Sequence, residues 1–255
     1  MATVNDILAA LDRFAPVSTA LDFDNVGLLV GSGSSEVTRV LVALDVMPDV
    51  INEAKTLGAQ LIVTHHPVIF RPISAVTETN PDAARALLLI ESGIAAICMH
   101  TNLDIAAGGV NDALAAKLGL ENIAVLPESD GVVRLGTVVA QSLSEFVKLI
   151  KFELSANGAR YHGAGVPVEK VAVGGGSCAE YAAAAKAAGC DTLVVGDAKY
   201  SEFLYAEMLG INLVDAGHFA TEDVVCPVLV EFLKSEFPGL KVTKSTEMTD
   251  KIKWI

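Results

Sequence analysis

Two stretches of the chain match each other without a gap, and this internal match limits the possible folds more than any other feature of the sequence. Residues 40–66 read VLVALDVMPDVINEAKTLGAQLIVTHH, and residues 171–197 read VAVGGGSCAEYAAAAKAAGCDTLVVGD. Each copy has the pattern of an apolar strand, a turn, a helix and a second apolar strand. Each predicted helix ends at a glycine, Gly58 or Gly189, where a left-handed cap residue is expected. Strands that alternate with helices predict an α/β fold.

The match continues downstream of both copies. After the first copy, the apolar run IAAICM is followed by His100-x-x-x-Asp104. After the second, the apolar run INLVDA is followed by His218-x-x-x-Glu222. Both halves therefore end a strand on a histidine that precedes a carboxylate by four residues. Two coincidences in the same register indicate internal duplication, and we predict two similar α/β domains.

The turn-rich stretch PESDG, residues 127–131, is the predicted domain boundary. The first domain, residues 1–126, then holds the HHP and HTNLD motifs. The second domain, residues 127–255, holds the GGGS, GDAKY and GHFATE motifs. The chain could cross between the two domains near its ends.

Charge and composition exclude several classes of protein. The chain has 18 Lys and Arg against 31 Asp and Glu, a formal net charge of -13, so its average surface repels phosphate backbones and anionic lipid. Nucleic acid is therefore an improbable partner. No apolar run is long enough to span a bilayer. The first residues, MATVNDILAALDRFAP, lack a basic leader region and predict an amphipathic helix capped near Thr3 or Asn5.

The four cysteines are widely spaced and form no C-x-x-C motif. This spacing argues against a structural zinc knot and is typical of core thiols in a reducing compartment. We therefore expect a soluble, cytoplasmic protein with no membrane partner. The cysteines in question are Cys98, Cys178, Cys190 and Cys226.

Polar side chains that can bind metals follow several of the predicted strands. In α/β sheets, ligands bind beyond the carboxyl ends of the strands, so these side chains could converge. Histidine and carboxylate together suit Zn, Fe, Mn or Ni. Adjacent residues of a strand point to opposite faces, so the His65–His66 doublet favours two ions bridged by a carboxylate. The full set is His65, His66, His100, Asp104, Asp197, His218 and Glu222.

Each candidate also has a simpler structural interpretation. A single histidine in an apolar setting, such as His100, is often a hydrogen-bonded core residue, and His162 in RYHGAG has the setting of a surface loop. The GGGS turn could present amides to a phosphate, but it lacks a dinucleotide or P-loop fingerprint and is more typical of a tight turn. Asn25 in DFDNVG could be a turn residue or a substrate contact. Asp197 could hold a metal-binding side chain through a hydrogen bond, act as a general base, or cap a helix.

Taken in order, the motifs resemble those of the GTP cyclohydrolase 1 type 2 homologue family, the Nif-three-like proteins. The resemblance covers nearly the whole chain, and THHP, HTNLD and the final motif are its most specific parts. In place of a histidine that many relatives carry after GDxKY, this chain has Ser201. The matching stretches are LDFDNVGLLVG, LIVTHHPVIF, HTNLDIAAGGVNDALA, VAVGGGS, GDAKYSE and DAGHFATE.

The resemblance implies two similar three-layer α/β/α domains with mixed sheets, a metal site in the cleft between them and a ring-shaped (toroidal) homohexamer. It implies two divalent metal ions as cofactors. By motif position, Asp104 and Glu222 would be able to bridge the ions, and His100 would lie close without being an assured ligand. The implied metal ligands are His65, His66, Asp104, His218 and Glu222.

The function predicted from these features is a dinuclear-metal-dependent hydrolase of a nucleotide-like or other small molecule. Two divalent ions support hydrolysis because they lower the pKa of water and hold a substrate oxygen. Glu222 and Asp197 are the predicted catalytic carboxylates. One alternative is a metal-dependent phosphoesterase. The other is a non-catalytic protein that binds metal or delivers it to a partner. In such a protein, the protein's own ligands would fill every coordination position of the metal site.

Overall fold

The computed structural model of the protein describes residues 2–255. Its contacts group into two compact units, and each is described separately below. Unit 1 comprises the chain as far as Ala107 together with Cys226–Thr249. Unit 2 comprises Gly108–Val225 and Asp250–Ile255.

Unit 1 contains a five-stranded mixed sheet. Three pairings in it, β13 with β4, β4 with β5 and β5 with β6, are parallel, and β2 is antiparallel to β6 at one edge. The strand order is β13-β4-β5-β6-β2, and β1 and β3 form a separate antiparallel pair. The strands are β1 (Ala2–Thr3), β2 (Gly27–Val30), β3 (Glu36–Val37), β4 (Arg39–Ala43), β5 (Leu61–Thr64), β6 (Ala95–Cys98) and β13 (Lys241–Lys244).

The helices of unit 1 begin and end where local sequence signals place them. Thr3 caps the first helix through a reciprocal hydrogen-bonded box with Asp6, as the sequence predicts. Pro48 opens the second helix, and Gly58 ends it with φ 66°. The helices are α1 (Val4–Phe14), α2 (Pro48–Leu57), α3 (Pro81–Glu91), α4 (Thr101–Ile105) and, apart from its first residue, α10 (Val225–Glu236).

Unit 2 contains a six-stranded mixed sheet of order β7-β8-β10-β11-β12-β9. The central pairings, β10 with β11 and β11 with β12, are parallel, while β7, β8 and β9 pair antiparallel to their neighbours. The strands are β7 (Glu121–Val125), β8 (Arg134–Gln141), β9 (Arg160–His162), β10 (Val168–Val173), β11 (Thr192–Val195) and β12 (Asn212–Asp215). The helices are α5 (Val110–Lys117), α6 (Leu143–Glu153), α7 (Ala182–Ala187), α8 (Tyr200–Leu209) and α9 (His218–Glu222).

The α/β prediction is confirmed, and both sheets are mixed. The two matching segments each form a strand, a helix and a parallel second strand: β4, α2 and β5 in unit 1, and β10, α7 and β11 in unit 2. In both units a further helix then leads to a third parallel strand, which pairs on its other side with an antiparallel strand. The HTNLD motif of unit 1 and the GHFATE motif of unit 2 follow these third strands.

The division of the chain differs from a single boundary near residue 127. Residues 108–126 lie in unit 2, because the apolar side of α5 packs into the core of that unit with Phe146 and Ile150 of α6. Residues 226–249 return to unit 1, where β13 adds a strand beside β4. Across residues 2–255, no helix is both long and apolar enough to cross a membrane.

Candidate metal centre

Three imidazole rings meet at the carboxyl ends of two neighbouring parallel strands of unit 1. His65 and His66 directly follow β5, and His100 comes two residues after the end of β6. The ring centroid of His65 lies 5.0 Å from that of His66 and 5.1 Å from that of His100. The centroids of His66 and His100 lie 5.7 Å apart. One ligand atom from each ring falls within 4.8 Å of the others. This spacing suits ligation of a metal ion.

The backbone turn after β5 brings both histidines of the doublet to the same place. The strand ends at Thr64, whose hydroxyl donates to the His66 carbonyl oxygen at 2.9 Å. The alternation of strand side chains therefore ends before the histidines, so it does not bear on the number of ions. The doublet by itself does not fix the number of ions.

Each of the three imidazoles has an oxygen acceptor at its Nδ1 atom. His66 donates to Asp45 at 2.9 Å, and His100 donates to Asp24 at 2.8 Å. The Nδ1 atom of His65, whose ring is fully buried, lies 3.0 Å from the carbonyl oxygen of Met99. Because a carboxylate or carbonyl oxygen can only accept, Nδ1 carries the hydrogen and Nε2 carries the lone pair in the neutral ring. Metal-ligating histidines typically have an outer partner of this kind.

Asp24 joins His100 to the start of α4. Its carboxylate is inaccessible to solvent and accepts hydrogen bonds from the Thr101 backbone N–H at 2.9 Å and from the Thr101 hydroxyl at 2.5 Å. Burial raises the pKa of Asp24, but the hydrogen bonds from His100 and Thr101 outweigh it and hold the pKa well below its usual range. The carboxylate is therefore ionised at neutral pH and keeps the His100 ring in one tautomer.

Asp104 lies one helical turn after His100, in α4. Its Oδ1 atom is 3.7 Å from His65 Nε2, so this carboxylate faces the lone-pair side of the imidazole cluster. The neighbouring thiol of Cys98 donates to the His65 carbonyl oxygen at 2.9 Å, and burial raises its pKa well above the usual range. The thiol is thus a hydrogen-bond donor and not an anionic ligand.

Unit 2 contributes a histidine and two carboxylates. His218 and Glu222 open and close the short helix α9, and the His218 Nε2 atom lies 3.0 Å from the Glu222 carboxylate. The His218 Nδ1 atom donates to Asp197 at 2.7 Å. Glu222 is almost fully buried, whereas Asp197 is half exposed. The arrangement repeats the pattern of unit 1, with Nδ1 held by an oxygen and Nε2 directed to a carboxylate.

The GGGS turn packs against this helix and leaves no room for larger side chains. A Cβ atom on Gly176 would lie 2.2 Å from Glu222 Oε1. Gly176 also has φ 61°, a conformation that favours glycine. The amide of Gly175 donates to Asn111, and that of Gly176 donates to the Thr221 hydroxyl. These amides are already used, so the tight-turn interpretation fits better than a phosphate-binding one.

The structure therefore groups the candidate metal ligands into two ligand sets. His65, His66 and Asp104 come together in unit 1, and His218 and Glu222 come together in unit 2, beside Asp197. His100 also belongs to the first set. The interpretation of Asp197 as a helix cap does not apply, because Lys199 holds the N-cap position of α8.

Two carboxylates that the sequence analysis did not single out complete the first set. Asp24 and Asp45 hold His100 and His66. Asp45 follows β4, the parallel neighbour of β5, so the strand order could have pointed to it.

Asn25 donates to the Ile69 carbonyl oxygen at 2.6 Å and ties together two loops. His162 is the last residue of the edge strand β9, and Ser201 is exposed in α8.

Comparisons with known proteins agree with the motifs. Two proteins named GTP cyclohydrolase 1 type 2 homolog are similar to the chain. That of Clostridium perfringens is 36% identical over 89% of this chain and 88% of its own length, and that of Lactococcus lactis is 34% identical over 97% of each. A crystal structure of a hypothetical protein of Staphylococcus aureus superposes with a TM-score of 0.91 at 30% identity, over 99% of both chains. The family model Duf34/NIF3 (NGG1p interacting factor 3) matches residues 2–251. The chain therefore belongs to the DUF34/NIF3 family.

Proposed function

We propose that the protein is a metal-dependent hydrolase that uses two divalent ions and acts on a nucleotide-like or other small molecule. The observation that carries this proposal is a hydrogen bond shared by four imidazoles. In each ring, Nδ1 lies at hydrogen-bond distance from an oxygen acceptor; the four are His65, His66, His100 and His218. One such bond is common for a core histidine, but four histidines that share it, three of them clustered, are typical of ligating imidazoles.

Coordination number supports pooling of the two ligand sets. His65, His66 and Asp104 offer three protein ligands, and His218 and Glu222 offer two. His218 and Glu222 alone would hold an ion with only two protein ligands, but pooled with the first set they suffice for two ions that share a carboxylate and retain open positions for water. Zn, Fe, Mn and Ni all accept such a histidine and carboxylate set. We therefore propose one dinuclear site that pools both ligand sets.

The chain's own residues would supply binding and proton transfer. Bound divalent ions would lower the pKa of water and polarise a substrate oxygen. Glu222 is proposed either to bridge the ions or to accept a proton from the attacking water. Asp197 accepts the Nδ1–H of His218, so it would keep that ring in one tautomer and make its Nε2 atom a stronger donor to a metal ion. Its exposure also leaves it accessible as a general base.

The two units and their assembly are part of the proposal. The corresponding order of strands and helices in each unit supports internal duplication into two three-layer α/β/α domains. In unit 2, α8 exposes large apolar side chains, with Tyr200 77% and Met208 84% exposed. Such a surface supports burial in an oligomer, and we propose a toroidal homohexamer. All four cysteines are buried thiols that form no disulfide bond, which supports a reducing, cytoplasmic location.

The decisive experiment combines metal analysis with turnover. Protein purified without added metal should retain close to two equivalents of divalent metal per chain, and this form should hydrolyse some member of a panel of nucleotides and phosphoesters. Glu222→Gln removes a charge without changing volume, so it should lower metal content or abolish turnover while the unfolding midpoint stays near that of the wild type. His162→Ala, the control outside both ligand sets, should change neither.

The outcomes distinguish the alternatives. Hydrolysis confined to phosphoesters would select the phosphoesterase form of the proposal. Two tightly held ions with no turnover of any compound would favour the protein that binds or delivers metal. A protein that binds no divalent ion would refute the proposal altogether.

A further inference from the structure

Three side chains beside the imidazole cluster form a surface that the proposed hydrolysis does not explain, and we call Phe23, Phe70 and Arg71 the aromatic rim. Phe23 is 58% exposed, although most phenylalanines are buried. Its ring meets the ring of Phe70 edge-on, with centroids 6.3 Å apart and an interplanar angle of 79°. The guanidinium of Arg71 lies over the Phe70 ring, 4.9 Å from its centroid.

The aromatic rim adjoins the candidate ligands. The Phe70 ring lies 5.9 Å from the ring of His100, again edge-on. Phe23 directly precedes Asp24, the carboxylate that holds this imidazole. A group bound at the aromatic rim would therefore lie next to His100 and within reach of the atoms that would ligate metal.

The segments that carry the aromatic rim are fastened to each other and to α4. The side chain of Asn25 donates to the Ile69 carbonyl oxygen at 2.6 Å, which joins the loop of Phe23 to the loop of Phe70. The Leu21 backbone N–H donates to the Thr101 hydroxyl at 2.9 Å, close to the bonds that Thr101 makes with Asp24. These bonds hold the two loops that carry the phenyl rings together in the absence of a ligand, and a preorganised site loses less entropy on binding.

The chemistry of these side chains selects a class of ligand. An exposed phenyl face favours stacking of another planar ring, and a second ring set edge-on beside it limits how that ring can lie. A guanidinium recognises carboxylate and phosphate and can stack on a ring at the same time. Arg71 is placed over Phe70, and in a chain of net charge -13 such an exposed cation is a distinctive local feature.

We propose that the aromatic rim binds a planar aromatic ring that carries a negative charge, with the ring stacked on Phe23 and the charged group held by Arg71. This inference rests on the proposed function for the identity of the molecule as a substrate, but the binding itself does not require turnover. It makes Phe23 and Phe70 specificity residues for the ring, and Arg71 a residue for the anion.

Paired probes with and without a ring test this directly. Binding of AMP, GMP, CMP and UMP is measured by calorimetry on metal-loaded and metal-free protein, and ribose 5-phosphate serves as the probe that keeps the phosphate and lacks the ring. At least one mononucleotide should bind more tightly than ribose 5-phosphate. Because stacking of a base on an aromatic side chain typically changes affinity about 5- to 100-fold, Phe23→Ala should weaken mononucleotide binding by that factor and leave ribose 5-phosphate unchanged.

Further variants separate the two parts of the aromatic rim. Arg71→Gln should weaken both kinds of probe by a similar factor, and Arg71→Lys, which keeps the charge but not the planar guanidinium, should restore only part of the loss. Phe152→Ala is the matched control, because Phe152 in α6 is 81% exposed and lies in unit 2, outside the aromatic rim. It should change no affinity. Unfolding midpoints of all variants should stay near that of the wild type, since the side chains are exposed or partly exposed.

Two results would overturn the proposal: no mononucleotide binds better than ribose 5-phosphate, or Phe23→Ala weakens both probes equally. Turnover of a phosphoester by a protein without ring preference would refute the aromatic rim and leave the hydrolase standing. Ring preference that Phe23→Ala abolishes, in a protein that turns over no compound, would support the aromatic rim and refute the hydrolase.

Discussion

Gly196 lies where a single added methyl group should displace His218. It follows β11 and is buried against the start of α9. A Cβ atom there would lie 2.5 Å from the Thr221 hydroxyl oxygen, 2.9 Å from the Gly176 nitrogen and 2.9 Å from the His218 Cα atom. Two of these three neighbours are backbone atoms, which cannot turn away as the end of a flexible side chain can. Gly196→Ala should therefore push α9 away from the end of β11.

The size of the displacement follows from these distances. Ordinary contact begins near 3.4 Å, so relief of the clash requires a shift of about 0.9 Å at the Thr221 oxygen and about 0.5 Å at His218. Overpacking of this kind costs about 1–3 kcal/mol in the free energy of unfolding. A shift of half an ångström also exceeds the tolerance of about 0.2 Å for metal–ligand distances. Metal affinity should therefore fall by roughly 10-fold or more, as it does when a residue that holds a metal ligand in place is replaced.

Two measurements check the two consequences separately. Urea unfolding followed by circular dichroism gives the loss of stability, and competition with a chromophoric chelator gives metal affinity. Gly239→Ala is the matched control, because a Cβ atom on Gly239 would meet nothing within 4 Å and its φ is not in the left-handed region. This control should alter neither measurement.

An unchanged unfolding midpoint in Gly196→Ala would refute the packing argument, whatever the metal affinity. A lower midpoint with unchanged metal affinity would instead refute the role of His218 as a ligand. Equal losses in Gly196→Ala and Gly239→Ala would show that the effect comes from replacement of glycine in general.

Two further predictions concern stability and assembly. Glu53 accepts hydrogen bonds from Ser245 and Thr246, so Glu53→Gln should lower the free energy of unfolding at pH 7 by about 1–3 kcal/mol. Burial raises the pKa of Glu53, but these hydrogen bonds outweigh it, so the net pKa is lowered from the ordinary value of 4.5. The charged carboxylate therefore stabilises the fold at pH values above 4.5. In urea titrations, the difference in stability between variant and wild type should shrink as the pH falls below 4.5. Light scattering should give a mass near six times 26.6 kDa, and a monomeric mass in dilute buffer would contradict the hexamer.

Local sequence patterns predicted the elements that carry the two ligand sets. Apolar runs bounded by glycine gave β4, α2 and β5 because each run is buried in a parallel sheet and each helix needs a left-handed cap. The pattern could not predict the return of the chain to unit 1. The strand β13 reads KVTK, with one buried residue, and its pairing with β4 depends on contacts between residues about two hundred positions apart. The placement of α5 likewise depends on the core that its apolar side enters.

The histidines of the site were predictable, but two of their supporting carboxylates were not. Two adjacent histidines after an apolar strand are unusual enough to mark a site. Single aspartates such as Asp24 and Asp45 are common in turns, where they bond to nearby backbone, so neither stands out in the sequence. Their roles depend on partners 76 and 21 residues away along the chain. Only the fold assigns those partners.

The choice of acceptor for each imidazole follows from burial. The three imidazoles that retain some exposure donate to carboxylates, whereas the fully buried His65 has the carbonyl oxygen of Met99 as its acceptor. A carboxylate stabilises the protonated ring, which cannot ligate metal, and a positive charge on a fully buried ring would be costly to desolvate. A carbonyl oxygen fixes the tautomer without adding charge. Because any residue supplies a carbonyl group, this support leaves no trace in the sequence, and the most buried ligand of the candidate site has the partner that no motif could reveal.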